Sequence, residues 1–161
     1  MYCGDIFVFN VILQDLERQL SLILLELFEQ CSSLPAKMQL LESFQGLMSR
    51  ENIQAVLQKQ LDSIVDELLA DISTVHQSLS SLISQPPTLT NISPVATTLL
   101  WVCASRERVD VPIERLRKAA PQLLEGDKGF TLRHSLGELR RDFEKYVNKK
   151  YIACKFFRKN F

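Results

Sequence analysis

The sequence predicts an all-α protein, an elongated bundle of long antiparallel helices, and three observations carry that prediction. Only 5 glycines and 6 prolines occur among 161 residues, so the chain has few places to turn and its elements must be long. Leucine, isoleucine and valine recur at three- and four-residue steps over long stretches, the repeat that gathers apolar side chains on one helix face. No run alternates apolar with polar residues as a half-buried strand would. An apolar content of 46% against 24% charged residues is that of a folded domain, and the length suffices for one core.

The first helix is expected over residues 5–31. Leu13, Leu16, Leu20, Ile23, Leu24, Leu27 and Phe28 form its stripe, with Asp15, Arg18, Gln19, Glu26 and Gln30 mostly between them. Residues 20–27 are apolar nearly all round, which predicts burial on more than one side. Cys31-Ser32-Ser33-Leu34-Pro35 breaks the pattern, and Pro35 suits the first turn of the next helix. That helix is expected over residues 36–48, with Met38, Leu41, Phe44 and Leu47 or Met48 facing inward. The longest element is expected over residues 51–84. Its seam runs through Ile53, Val56, Leu57, Leu61, Ile64, Val65, Leu68, Leu69, Ile72, Val75, Leu79, Leu82 and Ile83 without a break. So regular a ridge must lie against partner helices.

Residues 85–94, beginning Gln85-Pro86-Pro87, form the expected linker between two helical halves, because paired prolines cannot continue a helix. Ser93 as cap and Pro94 in the first turn then restart one, lined by Val95, Leu99, Val102 and Val109 together with Trp101. Pro112 is expected to kink or end it, leaving a short helix over residues 113–124 interrupted by Pro121. Glu125-Gly126-Asp127-Lys128-Gly129 reads as a turn. The last helix is expected over residues 131–150, with Leu132, Leu136, Leu139, Phe143, Tyr146 and Val147 as its stripe.

Several functional classes are weighed against on composition and pattern. A net charge of +0 argues against a dedicated nucleic-acid binder. The apolar start of the chain has no basic region before it and is cut by Asp15, Glu17 and Arg18, so neither a secretory signal nor a membrane span is expected. Cys3, Cys31, Cys103 and Cys154 form no metal-binding spacing and read as reduced thiols of an intracellular protein. No GxGxxG, GxxxxGK[ST], GxSxG or HExxH run is present, so no cofactor and no catalytic residue is expected. His76 reads as a helix-surface residue with Glu67 and Asp71 within reach, and His134 stands alone. The pairs Asp66/Glu67 and Glu26/Glu29 read as solvated faces, since paired carboxylates become an acid–base couple only in a cleft. Trp101, the sole tryptophan, reads as a packing anchor. From Arg140 to Lys159 cations crowd the sequence with aromatic residues interleaved. That pattern suits the negative end of a helix dipole, or else a membrane-surface binder acting through residues 149–161.

One segment is more specific. Pro94-Val95-Ala96 with Leu99 and Trp101, followed by Arg108-Val109 and Pro112-Ile113, resembles a hallmark of the dynein heavy-chain tail. In that family a Pro-Pro-Val-Ala-Gly-Ala-aliphatic-x-Trp stretch precedes an Arg-Ile-x-x-Pro-Met stretch. Ser93 stands in place of the first proline, and Thr97 and Thr98 replace the Gly-Ala pair, where larger side chains should loosen a close helix contact. Upstream, Asp15-Leu16-Glu17-Arg18 and the run from Leu40 to Arg50 followed by Ile53 are similar to the family's helices, with a spacing that leans towards axonemal heavy chains.

The resemblance covers residues 10–151. It implies one tail-like helical region over residues 1–151, with residues 152–161 unassigned. It further implies a stem-like bundle segment that is not an enzyme, since the family's ATPase motor lies elsewhere. Expected partners are another dynein heavy chain (self or paralogue) and dynein intermediate and light chains. Nucleic acid and small-molecule substrates are not among them. The implied location is the cytoplasm and cytoskeleton, in particular the axoneme of a cilium. The alternative is a generic helical tether unrelated to dynein.

Overall fold

The structure, a computed structural model, describes the backbone of residues 3–84 and 92–159 and, within these, the side chains of residues 8–82 and 92–149. Among the described residues every regular element is helical. The order is α1 (Cys3–Gln30), α2 (Leu34–Ser43), α3 (Glu51–Ser84), α4 (Pro94–Ala119), a 3-10 turn (Pro121–Leu124) and α5 (Asp127–Lys159).

The axis of the molecule is α3. Ile53, Leu57, Leu61, Ile64, Leu68, Ile72, Val75 and Leu79 are each at most 4% exposed, a continuous stripe in steps of three and four. Burying each such side chain stabilises the fold by about 1.5–3 kcal/mol. That gain outweighs the slight reluctance of isoleucine and valine to be helical. Val56 departs from the expected seam and is exposed, because it lies a quarter-turn round the helix from Leu57.

Cross-helix contacts set the directions. Arg108 of α4 meets Asp71 at 2.6 Å, while Gln122 beyond α4 donates to the Met48 carbonyl just before α3, so the two helices are antiparallel. Lys128 reaches Asp66 and His76 reaches Asp142, so α5 runs parallel to α3. Glu17 accepts from Arg50 and Asn52 at the start of α3, and Ser21 shares a groove with Val56, which makes α1 parallel as well. Consecutive helices therefore reverse, and buried residues from both sides of the 85–94 segment form one core. Gln14, one turn before Glu17, lines the same groove as Asn52 and Val56.

Four sequence expectations are corrected. The second helix ends at Ser43, and turns carry residues 44–49 with Met48 buried, so a tertiary contact rather than helix periodicity inserts that methionine. Pro112 does not end α4, which continues to Ala119. Val102, Ser105, Val109, Ile113 and Leu116 form a buried stripe across the proline, and their packing offsets the missing N–H. Gly129 is already inside α5, which begins at Asp127. And α1 is buried on one side only, through Ser21, Leu24 and Phe28, while Leu22 and Ile23 are exposed. Residues 85–91 of the expected linker and the side chains of residues 152–161 lie outside the described residues.

Candidate functional site

The motif residues all lie on α4. Ser93 sits in extended backbone before the helix and its hydroxyl accepts from the Ala96 N–H at 3.2 Å, an N-cap, with exposed Pro94 following in the first turn. Val95 and Ala96 are half-buried. Thr97 and Thr98 point inward, and their hydroxyls donate to the Ser93 and Pro94 carbonyls at 3.2 and 2.8 Å, so burial strands no polar group. Leu99, expected to line up with Trp101, is instead 42% exposed, and Leu100 beside it is exposed too. Because the Thr98–Val102–Ser105 side of the helix takes the core, the two leucines are turned outward. Trp101 is half-buried and meets Phe143 of α5 edge-on, with centroids 6.1 Å apart and planes at 68°. Arg108 is an exposed side chain paired with Asp71, and Pro112 is half-buried within the helix.

Charged residues clamp the bundle. Arg115 of α4 grips Glu42 of α2 with two hydrogen bonds, 2.6 and 2.7 Å, and holds its carboxyl below the ordinary carboxylate range. The Asn52 amide, and Arg50 after it, lower Glu17 in the same way. Lys145, and after it His76, lower Asp142. Arg140 donates twice to Asp110, and Lys37 pairs with Glu67. The expectation for His76 is therefore corrected. Its partner is Asp142 across the bundle at 3.1 Å, since Asp71 and Glu67 are engaged by Arg108 and Lys37. His134 lies 3.8 Å from Glu138 and stacks on Phe130. Asp66 and Glu67 prove to be inter-helix clamps, whereas Glu26 and Glu29 remain exposed with no ion-pair partner among the described residues.

Among the described residues no three His, Cys, Asp or Glu side chains converge as metal ligands, and no helix is long and apolar enough to cross a membrane. A surface groove of about 290 Å³ runs between α3 and the start of α5, lined by Gln54, Gln58, Asp62, Gln122 and Lys128, with Lys128 already committed to Asp66. The most exposed apolar surface is instead on α1, where Val8, Phe9, Val11, Ile12, Leu16, Leu22 and Ile23 are 50–63% exposed. Of these, Leu16 and Ile23 belong to the stripe that the periodicity assigns inward. The missed signal is that α1 carries more apolar positions than one buried stripe requires.

The described residues thus form an all-α bundle clamped by inter-helix ion pairs, with a capped Pro-Val-Ala run opening α4. The chain belongs to the dynein heavy-chain family: the profile "Dynein heavy chain, N-terminal region 1" matches residues 2–154. It is 27% identical over 142 residues to the "Dynein beta chain, flagellar outer arm" of Chlamydomonas reinhardtii, which covers 88% of this chain and 3% of that protein. To the "Dynein gamma chain, flagellar outer arm" of the same organism it is 30% identical over 110 residues, 68% of this chain and 2% of that one. The chain thus spans a small fraction of the relatives it matches. No solved structure matches.

Proposed function

We propose that the chain is a non-catalytic structural and assembly segment of a dynein heavy-chain tail, mediating heavy-chain association and the docking of intermediate and light chains in a microtubule motor complex. The observation that carries this reading is the match of residues 2–154 to the N-terminal region of dynein heavy chains. A bundle clamped by ion pairs between its helices, with its longest run of exposed apolar residues along α1, is suited to holding chains together. Residues 1–151 are the tail-like unit in this reading, and Pro94, Val95, Ala96, Leu99, Trp101, Arg108 and Pro112 are its packing motif. Partners are a second heavy chain and the intermediate and light chains. The location is the cytoskeleton, at the axoneme of a cilium, which the flagellar outer-arm relatives support.

Tagged and expressed in a flagellated cell, the chain should sediment with dynein heavy and intermediate chains after high-salt extraction of axonemes. Migration as a free 18.5 kDa protein in every fraction would contradict the reading.

A further inference from the structure

The strongest local charge in the chain lies along the second half of α5. Between Arg140 and Lys159 eight cations stand against two acids, Asp142 and Glu144, while the whole chain has a net charge of +0, so its remainder is net acidic. Leu132, Leu136, Leu139, Phe143 and Tyr146 are buried and fix which side of α5 faces the bundle. At roughly 100° per residue, Arg141 lies about 180° from the centre of that stripe, with Lys145 and Asn148 within about 40° of it. All three are exposed. The helical backbone continues to Lys159, and in the same register Ile152, Lys155 and Lys159 return to within about 40° of Arg141. The acids do not share this row, since Glu144 falls about 60° and Asp142 about 100° from Arg141, on opposite sides. From Arg141 to Lys159 the row is about 27 Å long at roughly 1.5 Å per residue.

These cations are not absorbed by the bundle. Arg140, nearer the buried side, is committed across helices to Asp110. Arg141 donates to the Gly137 carbonyl of its own helix at 3.3 Å and has no ion-pair partner among the described residues. Lys145 pairs with Asp142 one turn back, yet its side chain is 77% exposed. Lys149 is exposed, again with no ion-pair partner among the described residues. A straight row of one sign on a helix held rigid by its buried side calls for an anionic partner. A planar anionic surface meets the whole row at once, with no flexible chain to order. Ile152 within the row, and Phe156 about 60° from Arg141, add residue types that favour the headgroup boundary of a bilayer.

We propose that the row from Arg141 to Lys159 is a docking surface for an anionic lipid bilayer, on which the bundle lies peripherally with α5 against the headgroups. No helix leaves the bundle to insert, because the apolar stripe of α5 stays buried in the core. The inference goes beyond the assembly reading and is independent of it, since sedimentation with dynein chains tests one and lipid binding the other.

The test is co-sedimentation of the full chain with vesicles of phosphatidylcholine, alone or with about 30% phosphatidylserine. Binding to the anionic vesicles should be at least about tenfold tighter, and should fall steeply between about 0.1 and 0.5 M salt. Arg141→Gln with Lys145→Gln should weaken it by more than about tenfold, since each cation near such a surface contributes roughly a factor of five. Circular dichroism should stay unchanged, because both side chains are exposed. Lys59→Gln with Lys118→Gln removes the same charge from exposed positions on α3 and α4, and should change binding by less than about threefold. If the first pair of changes disturbs the helices, Lys155→Gln with Lys159→Gln addresses the same row. Equal binding to neutral and anionic vesicles overturns the proposal, as does an equal effect of the row and control variants. Tighter binding of polyglutamate than of anionic vesicles at equal charge also overturns it, and would give the row to an acidic polypeptide.

Discussion

Gly129 sits where the first turn of α5 crosses the 3-10 turn. A methyl group there would lie 2.3 Å from the Leu123 carbonyl oxygen and 2.4 Å from the Leu124 Cα, both backbone atoms that cannot swing aside. Gly129→Ala should therefore destabilise the fold by about 1–3 kcal/mol, the usual cost of overpacking, although alanine is the better helix former. Chemical denaturation checks this, and a gain in stability would show that the turn retreats freely. Trp101 is a graded case. A fully buried ring would cost about 3–5 kcal/mol on truncation to alanine. Half-buried and edge-on to Phe143, Trp101 should cost about 2–3 kcal/mol. Neither geometry was visible in the sequence. The two close glycines signal a turn equally well, and a lone tryptophan does not show how much of its ring is covered.

Element boundaries were legible wherever local chemistry and packing agree. The long α3 runs over Glu51–Ser84 as its uninterrupted stripe predicts, and Ser93-Pro94 opens α4 as cap and first turn. Pro112 misled because its local preference opposes the packing, and the Val109–Ile113–Leu116 continuity was the stronger signal. The inter-helix clamps were not legible, since Asp66, Glu67 and Asp71 find partners 30 to 62 residues away. These clamps carry a pH prediction. Glu17, Glu42 and Asp142 titrate lower when folded than when unfolded, so their stabilisation is present above the ordinary carboxylate range near about 4. It is lost as pH falls through the depressed folded values. Melting temperature should hold steady from about pH 7 to 5 and drop below about 4. Arg115→Ala should shallow that drop and lower stability by about 1 kcal/mol or less, as expected of a partly exposed pair. An unchanged acid limb in Arg115→Ala would show that the α2–α4 clamp does not contribute.

At the scale of the whole molecule, the helical class and the family were legible in the sequence, because seam periodicity and the Pro94-to-Ile113 pattern survive in a divergent copy. Which apolar faces are internal was not. Leu16 and Ile23 follow the same periodicity as Leu24 and Phe28, yet only the latter pair is covered by this chain. Periodicity marks a face as apolar without showing what covers it. The most direct test of the assembly claim is sedimentation velocity of the purified chain mixed with purified outer-arm dynein heavy-chain tail, intermediate chains and light chains. The expected result is depletion of the 18.5 kDa boundary into a faster complex with defined stoichiometry. A boundary that stays at the free position across a hundredfold excess of those chains would contradict it.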